Sequence, residues 1–184
     1  EKRRINRLKN ENEKRLKILK EASKDIRSIS PHELKLLGAI FYWAEGGKTQ
    51  RGLVRVTNSD PSVVRIMMRF FREVCNVKEE KFRALIHTHS HINKKSAEEY
   101  WSDITGISLQ QFYKTYSKPS KSSQSKRDSL PYGTIDVYVC DTKLFLTIMG
   151  WIEKIKTLLV SDNVKRYERI RGRHHGQGAG GWLS

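Results

Sequence analysis

The stretch GTIDVYVCD, residues 133–141, carries the clearest strand signal in the chain. Apolar and polar side chains alternate along it, with Ile135, Val137 and Val139 on one side and Thr134, Asp136 and Tyr138 on the other. Because successive side chains of a strand point to opposite faces, this pattern predicts one buried and one polar face. Asp141 then precedes the apolar run 144–152, LFLTIMGWI, and predicts the start of a helix.

Two further stretches alternate in the same way, RGLVRVTNSD at 51–60 and KFRALIHTHS at 81–90. Their apolar residues are expected to face a core: Val54, Val56, Phe82, Ala84 and Ile86. Asp60-Pro61 predicts a helix after the first stretch, and residues 94–106 predict a short inserted helix after the second. The expected fold class is therefore α+β, an open antiparallel sheet with helices packed on one face.

The chain also divides by composition into three predicted segments. Residues 1–29 are rich in charge and predict a long basic helix. SISPHEL, residues 28–34, predicts a new helix start, with Ser30 as N-cap and Glu33 completing a capping box. Residues 30–160 then form the predicted domain, and the basic and Gly-rich residues 161–184 a predicted tail.

The charge of the chain points to a polyanionic partner. Lys and Arg number 36 against 20 Asp and Glu, giving a formal net charge of +16. Nucleic acid is the first expectation and a membrane surface the second. No apolar run approaches the roughly 18 residues of a spanning helix, and Cys75 and Cys140 predict buried thiols in a reducing compartment. We expect a soluble cytoplasmic protein associated with the nucleoid.

The polar side of the predicted sheet is the expected binding surface for double-stranded DNA. Its candidate contacts are basic, imidazole or phenol side chains on the strands and nearby loops: Lys48, Arg51, Arg55, Arg83, His87, His89, Lys118, Lys121, Lys126, Arg127 and Tyr138. The sequence HTHSH, residues 87–91, leaves a zinc site as a weaker alternative, because alternate residues of a strand share a face.

A separate question is raised by LLGAIFYWAEGG, residues 36–47. An apolar helix here ends in Glu45 followed by Gly46 and Gly47, so a carboxylate lies where the helix dipole disfavours an anion. Apolar residues occupy all sides of the predicted helix, which predicts cover on all sides, by its own sheet and by a second helix.

This stretch resembles the signature helix of the LAGLIDADG homing endonucleases, with Ala39, Ala44, Glu45 and Gly46 matching the family's A, A, D and G. The strand-and-helix pairs at 54–71 and 137–152 look like two further parts of that fold, and the resemblance covers about residues 34–156. In that family two signature helices pack together and each delivers its last acidic residue to one divalent-metal cleavage centre.

The resemblance implies a site-specific DNA endonuclease that hydrolyses phosphodiester bonds with Mg²⁺ or Mn²⁺ held by Glu45. A single motif implies a homodimer, with Gly38, Ala39, Tyr42 and Ala44 expected at the interface between two copies. The family places a basic residue near the scissile phosphate, here Lys143, and Gln50 is the candidate for orienting water.

Two other functions stay open. Glu45 favours the endonuclease, whereas Ile40, in place of a family glycine, and the short segment after Glu45 favour a LAGLIDADG-like transcription regulator that binds DNA without cutting. RNA binding, as in an intron-splicing maturase, also fits the charge.

Overall fold

The structure, a computed structural model, describes residues 1–90, 92–118 and 130–174, without the side chains of Lys118 and of residues 160–174. It divides into two compact units, one of Glu1–Leu34 and one that begins at Lys35. No helix in the described ranges is long and apolar enough to cross a membrane.

The first unit contains helix α1, Lys2–Ser23, whose 22 residues include none that is buried. This confirms the predicted long basic helix. Its end is followed by the capping box predicted from SISPHEL. The Ser30 N–H donates to the Glu33 carboxylate at 2.6 Å, and the Glu33 N–H donates to the Ser30 hydroxyl at 3.2 Å. Helix α2, Pro31–Glu45, begins there.

The second unit is built on a four-stranded sheet with the order β1-β4-β2-β3. The strands are β1, Leu53–Asn58; β2, Phe82–His89; β3, Tyr116–Lys118; and β4, Thr134–Cys140. Strands β1 and β2 flank β4 antiparallel, but β3 pairs with β2 in parallel. The prediction of a purely antiparallel sheet was therefore wrong at this edge, because three residues of β3 are too few to carry a strand pattern.

Helices cover one side of this sheet, which we call the inner face. Helix α3, Pro61–Arg69, follows β1 and continues as a π-helical turn, Phe70–Val74. Helix α4, Lys94–Thr105, is inserted after β2, and α5, Thr142–His174, follows β4. Short 3₁₀ turns lie at Glu79–Lys81 and Leu109–Gln111. Helix α5 continues into the predicted basic segment, through residues 161–174.

Side-chain caps start the helices beneath the sheet where the sequence predicted them. The Asp60 carboxylate accepts from the Ser62 N–H at 2.7 Å, and the Asp141 carboxylate accepts from the Leu144 N–H at 2.9 Å. Asp141 also pairs with Lys81 at 2.7 Å, and the lysine holds the pKa of this carboxyl below its usual range. The start of α5 is thereby joined to the residue before β2.

The core lies between the inner face and the helices. All eight strand residues predicted to face inward are at most 4% exposed: Val54, Val56, Phe82, Ala84, Ile86, Ile135, Val137 and Val139. Helices α3, α4 and α5 contact the strands and contribute Met67, Trp101 and Ile148, among others. Burial of apolar area at about 25 cal/mol per Å² is the main source of stability in such a layer.

The side of helix α2 that was expected to contact a second copy instead faces the core of its own chain. Ala39 and Tyr42 are fully buried, and a methyl group at Gly38 would lie 2.1 Å from the Phe70 ring. Gly38, Ala39 and Tyr42, which were expected at an interface between two copies, thus pack against their own chain. Of that set only Ala44 is exposed.

The opposite side of α2 is apolar and open to solvent. We call this the outer side of α2, formed by Leu36, Leu37, Ile40 and Trp43, each between 38% and 41% exposed. Helix α5 runs beside α2, since Lys35 lies 5.2 Å from the Trp151 ring and Lys156 lies 5.1 Å from the Trp43 ring.

The two cysteines differ from the prediction in part. Cys140 is exposed, and Cys75 is partly buried. Burial raises the pKa of the Cys75 thiol to about 12, so this thiol is an unreactive neutral group at physiological pH.

Candidate nucleic-acid interface

The second side of the sheet, which we call the outer face, carries the polar residues of the three long strands. The strand register places Arg55, Tyr138 and Arg83 in one row across β1, β4 and β2. The next row is Thr57, Asp136 and Leu85, and His87 lies beside Thr134 and Tyr116. The alternation in the sequence predicted this division into two faces.

A buried carboxylate at the centre of the outer face was missed by the sequence reasoning. Asp136 is 3% exposed, and its oxygens accept hydrogen bonds from the Thr57 hydroxyl at 2.5 Å and the Tyr138 hydroxyl at 2.6 Å. The His87 Nε2 lies 3.1 Å from the same carboxylate. We call these four residues the Asp136 network. Its members come from three strands, so alternation alone gives no signal for it.

The network sets the ionisation of its members. Burial opposes ionisation of Asp136, but the hydrogen bonds from Thr57, Tyr138 and His87 outweigh burial and lower the pKa of this carboxyl. Burial and the hydrogen bond to Asp136 raise the pKa of Tyr138 to about 12. The network therefore joins an ionised carboxylate to a neutral phenol, which fixes the orientation of the Tyr138 ring.

We expect Asp136→Asn to destabilise the fold by about 2 kcal/mol, because an amide replaces an acceptor that receives several hydrogen bonds. The pKa of Asp136 is lowered by folding, so its contribution is present above the ordinary Asp pKa of about 3.9 and is lost as the pH falls through the lower folded value. Urea unfolding of wild type and Asp136→Asn at neutral and at acidic pH measures the difference in their free energies of unfolding. Asp103→Asn, an exposed site in α4, is the matched control and should change stability by less than about 0.5 kcal/mol. Equal stability of Asp136→Asn and wild type at neutral pH would contradict the network.

Exposed aromatic rings border the network. Tyr113 and Tyr116 are 51% and 52% exposed. The Tyr113 ring lies 6.0 Å from the Tyr138 ring, and the Tyr116 ring lies 6.0 Å from His87. Trp101 of the inserted helix α4, by contrast, is 1% exposed and lies in the core.

The predicted DNA contacts fall into four groups. Arg55, Arg83, His87, His89 and Tyr138 lie on the outer face, as the strand register requires. The Arg83 guanidinium donates to the backbone oxygens of Glu80 and Phe82 at 2.8 and 2.7 Å. Lys48 and Arg51 lie in the exposed turn before β1. Lys118 ends β3, and Lys121, Lys126 and Arg127 lie outside the described residues.

Glu45 ends α2 with an exposed side chain. Within the described part of the chain no hydrogen bond or ion pair engages its carboxylate. The Lys48 ammonium donates to the Trp43 carbonyl at 2.7 Å. A cation thus satisfies the carbonyl end of α2 and offsets the unfavourable position of Glu45.

The chain then enters the sheet without a long hairpin. Gly46 pairs with Val56, and the Gly47 N–H donates to the Arg55 carbonyl at 2.9 Å. Gly52 completes the turn into β1. Its φ of +84° is a backbone conformation that residues with a side chain disfavour. Glu45 is therefore next to the outer edge of β1.

The two other residues predicted to act with Glu45 are placed differently. Gln50 lies in the exposed turn before β1. Lys143 lies in the first turn of α5, which is tied to the start of β1 by the bond from the Asp141 N–H to the Gly52 carbonyl at 2.9 Å. Gly46 pairs three residues further along β1, a separation of about 10 Å. Among the described residues, no hydrogen bond or ion pair joins the side chains of Lys143 and Glu45.

The described residues contain no group of three or more His, Cys, Asp or Glu side chains arranged to hold a metal ion. His87 of the zinc alternative pairs with Asp136, and His91 lies outside the described residues. No protein-family model, curated protein sequence or solved structure matches this chain.

Proposed function

We propose that this protein binds double-stranded DNA with the outer face and acts on it as a site-specific endonuclease of the homing type. The observation that carries the proposal is the exposed carboxylate of Glu45, which has no hydrogen-bond or ion-pair partner among the described residues and lies at the end of an apolar helix, beside a sheet face that bears arginines. A net charge of +16 attracts DNA phosphates. Helix α2 brings its acidic end to the β1 edge of the sheet, where Gly46 pairs with Val56. Such a protein would act in the cytoplasm, on the nucleoid.

The residues fit a divalent metal only as a shared site. One carboxylate per chain is present, and Mg²⁺ is commonly bound through one or two carboxylates together with substrate phosphates. Two copies of Glu45 and the DNA backbone supply that set. When bound, Mg²⁺ or Mn²⁺ supplies charge neutralisation at the phosphodiester and an activated water. The chain's own part is to hold the carboxylate at the end of a rigid helix.

The outer side of α2 supports pairing with a second copy. Single exposed apolar residues are common on a protein surface, but here four large ones lie together along one side of a helix. Packing this side against its twofold copy buries all four and brings the two helices into contact, with Glu45 at the end of each. The proposed interface thus uses Leu36, Leu37, Ile40 and Trp43 in place of the small residues that the sequence suggested.

We expect Ile40→Asp to convert the dimer to a monomer and to remove cleavage, because a charge at the centre of the outer side of α2 cannot be buried against its own copy. Sedimentation equilibrium gives the mass. Leu109→Asp is the control, since Leu109 is an exposed apolar residue, 49% accessible, in a separate 3₁₀ turn. A dimer that survives Ile40→Asp would contradict this interface.

The alternative is a regulator that binds DNA without cutting it. It is favoured by the short turn between Gly47 and β1, which leaves little chain for reading bases, and by the exposure of Ile40 in place of the family's glycine. RNA binding is a further alternative on the ground of charge.

A single selection experiment separates these functions. The protein is incubated with a randomised duplex DNA pool and Mg²⁺ or Mn²⁺, and both the retained molecules and any new ends are sequenced. New ends within a shared near-palindromic sequence support the endonuclease. An enriched sequence without new ends supports the regulator. Retention that does not weaken steeply as salt is raised would overturn binding through phosphates.

A further inference from the structure

Four rings on the outer face form a connected set, which we call the ring cluster: Tyr113, Tyr138, His87 and Tyr116. Tyr113 is hydrogen-bonded through its N–H to the Ala84 carbonyl of β2 at 2.7 Å, and its ring reaches across β2 to Tyr138 on β4. Tyr116 meets His87 at the other end. The Asp136 carboxylate joins the two pairs, since it is bonded to both Tyr138 and His87.

The two outermost rings are held but not covered. Tyr113 meets Tyr138 at an interplanar angle of 71°, and Tyr116 meets His87 at 70°. Such edge contacts fix a ring while leaving much of its surface free, and about half of each tyrosine is accessible. A large apolar ring held rigid and half exposed is available to a planar ligand at a small cost in conformational entropy.

The surroundings of the ring cluster suit a polyanion with planar groups. Arg55 lies next to Tyr138 in the strand register, Arg83 lies on the other side of Tyr138, and Lys114 is exposed between the two tyrosines in the sequence. Cations next to exposed aromatic rings are the arrangement with which proteins hold unpaired nucleotides. A duplex hides the faces of its bases in the stack, so these rings offer a contact that only unpaired bases can use.

We propose that the ring cluster is a binding site for an unpaired DNA strand, with bases stacked on Tyr113 and Tyr116 and phosphates beside the neighbouring basic residues. The inference rests on the proposed function, in which the outer face holds DNA, and adds a substrate class to it. DNA is the chosen polymer because the opened or cut strand of a bound duplex is already at this face.

The test measures affinity for a labelled oligothymidylate and for a duplex of equal length by fluorescence anisotropy. Tyr113→Ala and Tyr116→Ala should each weaken single-strand binding about tenfold, while Tyr113→Phe and Tyr116→Phe, which keep the ring, change it by less than about twofold. Duplex affinity should stay within about twofold in all four variants. Tyr132→Ala is the matched control, because Tyr132 is 37% exposed but stacks at 3.8 Å on Tyr100 of α4, outside the ring cluster.

Failure of the inference and failure of the proposed function give different results. Unchanged single-strand affinity in the alanine variants, with duplex binding intact, overturns the ring cluster alone. If the wild-type protein binds neither single-stranded nor duplex DNA, both proposals are overturned. Tighter, tyrosine-dependent binding of an RNA of the same length overturns the choice of DNA. Should an alanine variant fail to fold, Tyr→Leu at the same position retains apolar volume without a stacking ring.

Discussion

Glu45→Gln should reduce DNA cleavage by a factor on the order of 10³ or more, while affinity for duplex DNA stays within about twofold. The substitution keeps the size of the side chain and removes the charge that would hold the metal, and a bound metal contributes several kcal/mol to charge stabilisation in the reaction. Because the Glu45 carboxylate engages no other group in the described part of the chain, the fold should tolerate the change. Cleavage is measured as the rate of new ends on a selected target in Mg²⁺.

The matched control is Glu80→Gln, which removes one negative charge from an exposed position just before β2. It changes the net charge equally, so any effect common to both variants reports long-range attraction of DNA and not the cleavage centre. Cleavage by Glu45→Gln at the wild-type rate would rule out Glu45 as the metal ligand and leave the binding function alone.

Gly38→Ala should destabilise the protein by about 3 kcal/mol, the upper range for overpacking a core. The added methyl group would lie 2.1 Å from the Phe70 ring. That ring is fully buried and packs against Phe71 at 5.5 Å and Trp151 at 6.1 Å between centroids, so it has little room to withdraw. Urea unfolding gives the free energy of unfolding, and far-ultraviolet circular dichroism checks the helix content.

Gly150→Ala is the control for that experiment. Gly150 also lies in a helix, but apart from its chain neighbours and the nearby backbone of its own helix, no atom of the described residues is within 4 Å of the position that its methyl group would take. Helix propensity alone should therefore stabilise this variant by about 0.5–1 kcal/mol. If both variants were stabilised, Gly38 would not be packed against the core, and the small side of α2 would be available to a second chain after all.

Local patterns predicted the parts of this fold that depend on neighbouring residues. Alternation located β1, β2 and β4 and assigned both faces, because a strand in contact with a core on one side repeats every second residue. Ser30, Asp60 and Asp141 located three helix starts, because a side-chain cap acts within three residues.

The remainder depends on contacts between distant residues. Helix α2 is apolar on every side, so its sequence gives no preference for the side that meets Phe70. Asp136 looked like any outward polar residue, and its burial follows from Thr57 and His87, which are 79 and 49 residues away in sequence. The LAGLIDADG resemblance, the metal and the DNA contacts stay predictions for the experiments above.

The strand order has a consequence for how the chain is made. Strand β4 lies between β1 and β2 but is the last of the four in the sequence. Ribosomes release the chain from its N-terminus, so β1 and β2 emerge before the strand that both must pair with exists. Until residue 140 has left the ribosome, β1 and β2 lack the strand that pairs with their backbone N–H and C=O groups. Strands with unpaired backbone groups are prone to associate with other chains. This topology therefore requires that the unfinished chain be protected from association during synthesis, in addition to a stable finished fold.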